Sequence, residues 1–185
     1  MTVNQFYQSI NTICNDSENR DLEEYFLALL ALVERERKQE PTAELMLQLL
    51  REAFTAKPAE FDPEWLKLGP PDDSILYVSN VQQEEDDEEW EQPDEPEMTM
   101  HDYTVAVLKF QIGEFHSMRG KQLENPMRGF GLSSDSGHDW YNFDPFMNLE
   151  CGARCLLDGS KNKDAELQVD WSMLGELLEM GRIYE

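Results

Sequence analysis

The chain has 185 residues, and its 40% hydrophobic content is enough to form a hydrophobic core in one domain of ordinary size. Its 39 acidic residues outnumber its 15 basic residues and give a formal net charge of −24, which makes the phosphate backbone of a nucleic acid a poor partner. The composition therefore argues against nucleic-acid binding and indicates an acidic protein that folds.

The amino terminus lacks the basic region and apolar stretch of a secretory signal. The longest apolar run, Phe26 to Val33, is far shorter than the roughly 20 residues that cross a bilayer, and anionic lipid would repel the acidic surface. Three cysteines, Cys14, Cys151 and Cys155, fit free thiols in a reducing compartment better than a disulfide scaffold. We predict a cytoplasmic protein with no membrane role and no cofactor.

The first 69 residues carry apolar side chains at helical spacing. A proline between the second and third segments favours a turn that folds them into a helical hairpin, which the first segment covers. Asp62-Pro63 then begins a short helical stretch that ends at Gly69. The predicted helices of this region span 3–14, 21–38 and 43–55.

The middle of the chain is dominated by acidic residues. Ile75 to Val81 is rich in aliphatic and aromatic residues and predicts a short strand. Residues 84–97 contain ten acidic residues and no basic one, so repulsion and missing apolar surface predict a flexible loop. Thr99 and Asp102 then resemble a capping box, and we predict a helix rather than a strand after them, followed by an irregular loop over 124–137.

The carboxyl-terminal region predicts two more helices. One begins at Asp144-Pro145 and runs toward Gly159, and Asp170 caps another that ends before Gly181. Short strands at 166–169 and 182–185 would pair with the strand at 75–81. The predicted fold class is α+β: one domain over 1–185, mainly helical over 1–69 and 98–185, with a small β element and an acidic loop.

The segment from Gly137 to Ala153 interleaves polar groups with four large aromatic residues. His138 could act as a general base oriented by Asp139 or Asp144, with Glu150 as a second acid and Cys151 as a conceivable nucleophile. The competing interpretation is structural: Asp144 caps a helix, and the aromatic residues Trp140, Tyr141, Phe143 and Phe146 pack in the core.

The same segment offers possible metal ligands. Cys151 and Cys155 lie four residues apart on the predicted helix and therefore share a face, and His138 and His101 would complete four ligands for zinc. Cysteines in helices more often behave as small buried hydrophobic residues, so the favoured prediction is no metal.

The acidic loop is the natural surface for a protein partner. Its carboxylates would pair with the lysines and arginines of a basic protein, or merely keep the chain solvated. The predicted contact residues are Glu84, Glu85, Asp86, Asp87, Glu88, Glu89 and Trp90 in the loop, with Trp140 and Tyr141 farther along the chain.

The run from Gly137 to Phe146, GHDWYNFDPF, and the following LECGA of Leu149 to Ala153 resemble a segment of uncharacterised acidic bacterial proteins. The resemblance implies a compact bacterial protein similar to the immunity proteins that neutralise toxins. It implies no catalytic residues.

Three functions follow from these observations. The first is a non-enzymatic protein, such as an immunity protein or inhibitor, that binds a basic partner and is steered by its negative field. The second is a hydrolase or metal-assisted enzyme centred on residues 138–155. The third is a scaffold or adaptor whose helical hairpin presents an apolar groove. The oligomeric state stays open.

Overall fold

The computed structural model describes residues 1–15, 21–71, 98–124 and 145–183. Within these ranges the chain forms six α-helices and one 3-10 helix, and no sheet. The α-helices are α1 (Val3–Asn15), α2 (Leu22–Arg35), α3 (Ala43–Glu52), α4 (Met100–Glu124), α5 (Pro145–Gly159) and α6 (Ser172–Ile183), and the 3-10 helix is Pro63–Lys67.

The prediction of an α+β class is therefore wrong for the part of the chain that the structure describes. Residues 166–169 make a single antiparallel bridge, between Glu166 and Thr2, instead of a strand in a sheet. Their backbone lies along the amino terminus, where the Leu167 N–H donates to the Met1 carbonyl at 2.9 Å. The second predicted strand, at 182–185, begins inside α6, and the third, at 75–81, lies outside the described residues.

Local signals explain the first three helices. Phe6, Ile10 and Ile13 are buried along one side of α1, as their spacing predicts. The side chains of Asp21 and Thr42 accept hydrogen bonds from the backbone N–H three residues on and cap α2 and α3. Six consecutive residues of α2, from Tyr25 to Leu30, are buried, which places this helix at the centre of the amino-terminal half.

The helical hairpin is enclosed by the rest of the chain. The apolar side chains of α2 pack together with those of α1, α4 and α6 in one core, in which Leu108 and Leu178 are fully buried. Among the residues that the structure describes, the exposed large hydrophobic side chains lie away from α2 and α3, at Leu66, Leu68, Met98, Met100 and Met147. The hairpin's apolar side chains are thus used within the chain.

The helix α4 begins with a variant of the predicted capping box. The Asp102 N–H donates to Thr99 Oγ1 at 3.1 Å, and the Thr99 hydroxyl donates to the Asp102 carboxylate at 2.7 Å. This bond pattern fixes the start of the helix, and the prediction of a helix rather than a strand is confirmed. The helix continues to Glu124 and so includes Gly113 and Gly120.

Two close approaches set the position of α4. A side chain at Gly113 would place its Cβ 2.6 Å from the Trp65 carbonyl oxygen, so only glycine allows the 3-10 segment to lie this near. At Gly175 in α6, a Cβ would lie 2.8 Å from a ring carbon of Tyr103 on α4. Both glycines therefore serve helix packing.

The helix α5 closes the core beside α1. Phe146, in its first turn, is buried among Tyr25, Phe26 and Phe54, with ring centroids 4.9 to 6.4 Å apart. The Cys14 thiol of α1 donates to the Phe146 carbonyl oxygen, and Tyr7 lies against Arg154, so the two helices run antiparallel. Phe146 thus follows the structural interpretation of the aromatic segment.

Candidate functional sites

The structure describes four of the residues predicted for catalysis or metal binding: Glu150, Cys151 and Cys155 on α5, and His101 on α4. The other predicted site residues lie outside the described ranges. These are His138, Asp139 and Asp144, the contact residues Trp140 and Tyr141, and the acidic contact residues of 84–89 with Trp90.

Glu150 is an ion-pair partner on the surface of α5. Its carboxylate lies 3.1 Å from a guanidinium nitrogen of Arg154, one turn further along the helix, and both side chains are at least 40% exposed. Such an exposed i,i+4 pair contributes little to stability, because water screens the two charges. The contacts of Glu150 are those of a surface residue.

The three cysteines are thiols that form no disulfide, as the sequence predicts. Cys151 is exposed and Cys155 is half-buried, on the side of α5 opposite the buried Leu149 and Ala153. Cys14 differs because its thiol donates to a backbone carbonyl oxygen at 3.2 Å. Of the three cysteines, only Cys151 and Cys155 lie on the same helix, about one turn apart.

His101, proposed as a fourth zinc ligand, lies in the core. Its side chain is 5% exposed, its Nε2 is 2.9 Å from the Val33 carbonyl oxygen, and its ring meets the Trp171 ring edge to face at 5.0 Å. Because a carbonyl oxygen can only accept, Nε2 carries the proton and is not available to a metal. In the ranges that the structure describes, no group of three or more His, Cys, Asp or Glu side chains is arranged to hold a metal ion.

A cluster that the sequence did not reveal lies where α4 meets α2 and the 3-10 segment. His116 Nδ1 is 2.8 Å from Glu23 Oε1, with the histidine 44% exposed and the glutamate 12% exposed. Phe61 stacks on the imidazole at 4.0 Å, and its ring meets the edge of Trp65. This arrangement orients the imidazole and leaves part of its ring open to solvent.

His116 is one of three residues at seven-residue intervals on α4 that pair with charges of the α2 region. Asp102 lies 2.8 Å from Arg37, and Lys109 lies 3.7 Å from Glu34. We call Asp102, Lys109 and His116 the charged face of α4. The seven-residue spacing in the sequence indicates that these three residues share one face of the helix. Their ion-pair partners are distant in the chain, so the sequence could not identify them.

Ion pairs within the chain also engage the cations elsewhere. Arg35 lies 3.0 Å from Glu52, and Lys67 lies 2.8 Å from Glu64. A backbone hydrogen bond holds the pKa of the Glu44 carboxyl below its usual range, and the amino-terminal ammonium, 3.3 Å away, lowers it further. Carboxylates of the same chain thus pair with several of its cations.

Comparison with known proteins gives no relative. The chain matches no protein-family model, no curated protein and no solved structure. Across the described part of the chain, every helix is too short or too polar to cross a membrane.

Proposed function

We propose that this protein binds a basic protein partner without catalysing a reaction, in the manner of an inhibitor or an immunity protein. The observation that carries the proposal is the imbalance between its carboxylates and its cations. The thiols of Cys151 and Cys155 favour a cytoplasmic location.

The imbalance is large whatever the arrangement of the surface. If every lysine and arginine of the chain paired with one carboxylate, the net charge of −24 would still leave 24 carboxylates without a cation. Ion pairs such as Arg37–Asp102 and Lys109–Glu34 already occupy some of the cations within the chain. The surplus carboxylates therefore favour cations supplied by another molecule.

The acidic contact residues of 84–89 are the densest part of this surplus. They supply six consecutive carboxylates, followed by the large aromatic residue Trp90. A basic protein offers lysines and arginines that such a run can pair with, whereas a nucleic acid offers phosphates that it repels. We assign the first contact with the partner to this run.

Copurification tests the proposal. The tagged chain is isolated from its own host at low salt, and the bound proteins are identified and eluted by raising the salt concentration. We expect a stoichiometric basic protein that dissociates as salt rises, because screening weakens electrostatic association. Purification of the chain without a bound protein at low salt, or a partner whose binding does not depend on the salt concentration, would contradict the proposal.

The contact run is then tested with a variant of matched charge. Neutralising the six carboxylates of 84–89 to Gln or Asn is compared with neutralising six exposed carboxylates elsewhere. We expect both variants to slow association with the captured partner, and the first to slow it more, because it also removes contacts. Equal association rates for the two variants would show that residues 84–89 are not in the interface and act only through the overall negative charge. The matched set is Glu24, Glu40, Glu60, Asp158, Asp164 and Glu166.

A further inference from the structure

The outer side of α5 carries two thiols that the proposed function does not use. Phe146, Leu149 and Ala153 turn one side of this helix into the core, which leaves Cys151 exposed and Cys155 half-buried on the other side. Arg154, which lies on the same side, is engaged with Glu150. The two thiols are therefore reachable from solvent.

The helix fixes the separation of these thiols. Residues four apart in an α-helix have Cβ atoms about 5–6 Å apart, whereas a disulfide requires about 3.5–4.5 Å. A disulfide between Cys151 and Cys155 would distort α5. Two metal–sulfur bonds, each about 2.3 Å long where the metal is zinc, can be added to the Cβ–Sγ bonds and span the helical spacing without distortion.

We propose that Cys151 and Cys155 form a two-thiolate site for a soft monovalent cation, Cu(I). Thiolates are the ligands that select Cu(I), and two sulfurs complete the linear coordination that this ion accepts, whereas structural zinc takes four ligands. On binding, each thiol loses its proton, so one Cu(I) and two thiols give an anionic S–Cu–S unit and two protons. No electron is transferred.

Other sulfur atoms of the chain supply the controls. Met147 is exposed one turn before Cys151, but eight residues of helix place it about 12 Å along the axis from Cys155, too far to share one ion. Cys14 lies on α1, and its thiol already donates to the Phe146 carbonyl oxygen. Neither side chain belongs to the proposed site.

The test is an anaerobic titration of the full chain against Cu(I) held by the competing chelator bicinchoninate. We expect the chain to withdraw one equivalent. Cys151→Ser and Cys155→Ser should each weaken binding by about a hundredfold, because the second thiolate binds as an intramolecular ligand. Cys14→Ser and Met147→Leu should bind as the wild type does. Circular dichroism confirms that each variant is folded.

A spacing variant keeps the number of cysteines constant. Cys155→Ser combined with Asp158→Cys moves one thiol to an exposed position seven residues from Cys151, about 10 Å along the axis. This variant should bind Cu(I) as weakly as Cys155→Ser alone. Undiminished binding in the spacing variant or in Cys151→Ser, or a loss of binding in Cys14→Ser equal to that in Cys151→Ser, would overturn the proposal.

Discussion

The helix α4 makes two kinds of contact on its two sides. Toward α6 it uses neutral polar groups that are buried: the Thr104 hydroxyl donates to the Trp171 carbonyl oxygen and accepts from the Gly175 N–H, and Gln111 donates to the Leu178 carbonyl oxygen at 3.0 Å. We call these contacts the neutral junction. Toward α2 it uses the charged face, whose side chains are partly exposed.

In both contacts the residues of α4 recur every seven positions, but the two partner helices run in opposite directions relative to α4. From Thr104 to Gln111 the partner advances from Trp171 to Leu178, so α4 and α6 are parallel. From Asp102 to His116 the partner moves back from Arg37 to Glu23, so α4 and α2 are antiparallel. Burial then decides how much each contact contributes to the free energy of unfolding. A buried polar group that loses its partner destabilises the protein far more than the loss of an exposed ion pair does.

Removing the Thr104 hydroxyl should produce the largest effect. Thr104→Val keeps the shape of the side chain but leaves the Gly175 N–H and the Trp171 carbonyl without this partner in a buried site. We expect the free energy of unfolding to fall by about 2–3 kcal/mol, measured by urea denaturation. Thr12→Val, at an exposed position, should change it by less than about 0.5 kcal/mol. Similar losses in both variants would remove the distinction between buried and exposed hydroxyls.

Alanine substitutions at Gly175 and Gly113 test how tightly α4 packs on its two sides. Gly175→Ala places a methyl group 2.8 Å from Tyr103 in the core and should cost about 1–3 kcal/mol. Gly113→Ala meets the backbone of Trp65, which belongs to an exposed segment that can move away. Gly113→Ala should therefore lower the free energy of unfolding by less than Gly175→Ala, and it should speed tryptic cleavage after Lys67. A larger loss in Gly113→Ala would show that the 3-10 segment is held as firmly as the core.

The helices themselves were predictable because their signals are local. Asp62-Pro63, the spacing of Phe6, Ile10 and Ile13, and the Thr99 capping box each act within four residues, and the structure confirms each. The strand at 166–169 was predicted wrongly, because a short segment of alternating polar and apolar residues becomes a strand only if a partner strand is available, and here Thr2 provides a single bridge.

The partners across helices were not predictable from the sequence. His116 and Glu23 are 93 residues apart, and nothing in the spacing of charged residues on α4 indicates which carboxylate each one meets. The shared face of Cys151 and Cys155 follows from helical spacing alone, but its exposure depends on how α1 and α6 cover α5. The candidate site was therefore predictable in its spacing and not in its surroundings.

The charged face should respond to salt, whereas the neutral junction should not. A double-mutant cycle with Glu34→Ala and Lys109→Ala should give a coupling free energy below about 1 kcal/mol, because both side chains are partly exposed. The coupling should shrink as salt rises, while the loss in Thr104→Val stays constant. A coupling that is insensitive to salt would assign the contact to packing, such as that of Lys109 over the Trp65 ring.

The smallest expected effect is the pH dependence of Asp102, at the amino-terminal end of the charged face. The Thr99 hydroxyl, and then the charge of Arg37, hold the pKa of this carboxyl below its usual range. Its stabilising contribution is therefore complete above the unfolded-state pKa of about 3.9 and is lost as the pH falls through the lower pKa of the folded state.

Asp102→Asn isolates this contribution, because the amide cannot carry the charge. The variant should unfold more easily than the wild type at neutral pH, by a small amount since the side chain is 38% exposed, and the difference should vanish as the pH falls below the folded-state pKa. The loss in Gly175→Ala, which involves no charge, should persist over the same pH range. A difference at Asp102 that also persisted in acid would mean that the carboxylate acts through its shape and hydrogen bonds, and that the charged face begins at Lys109.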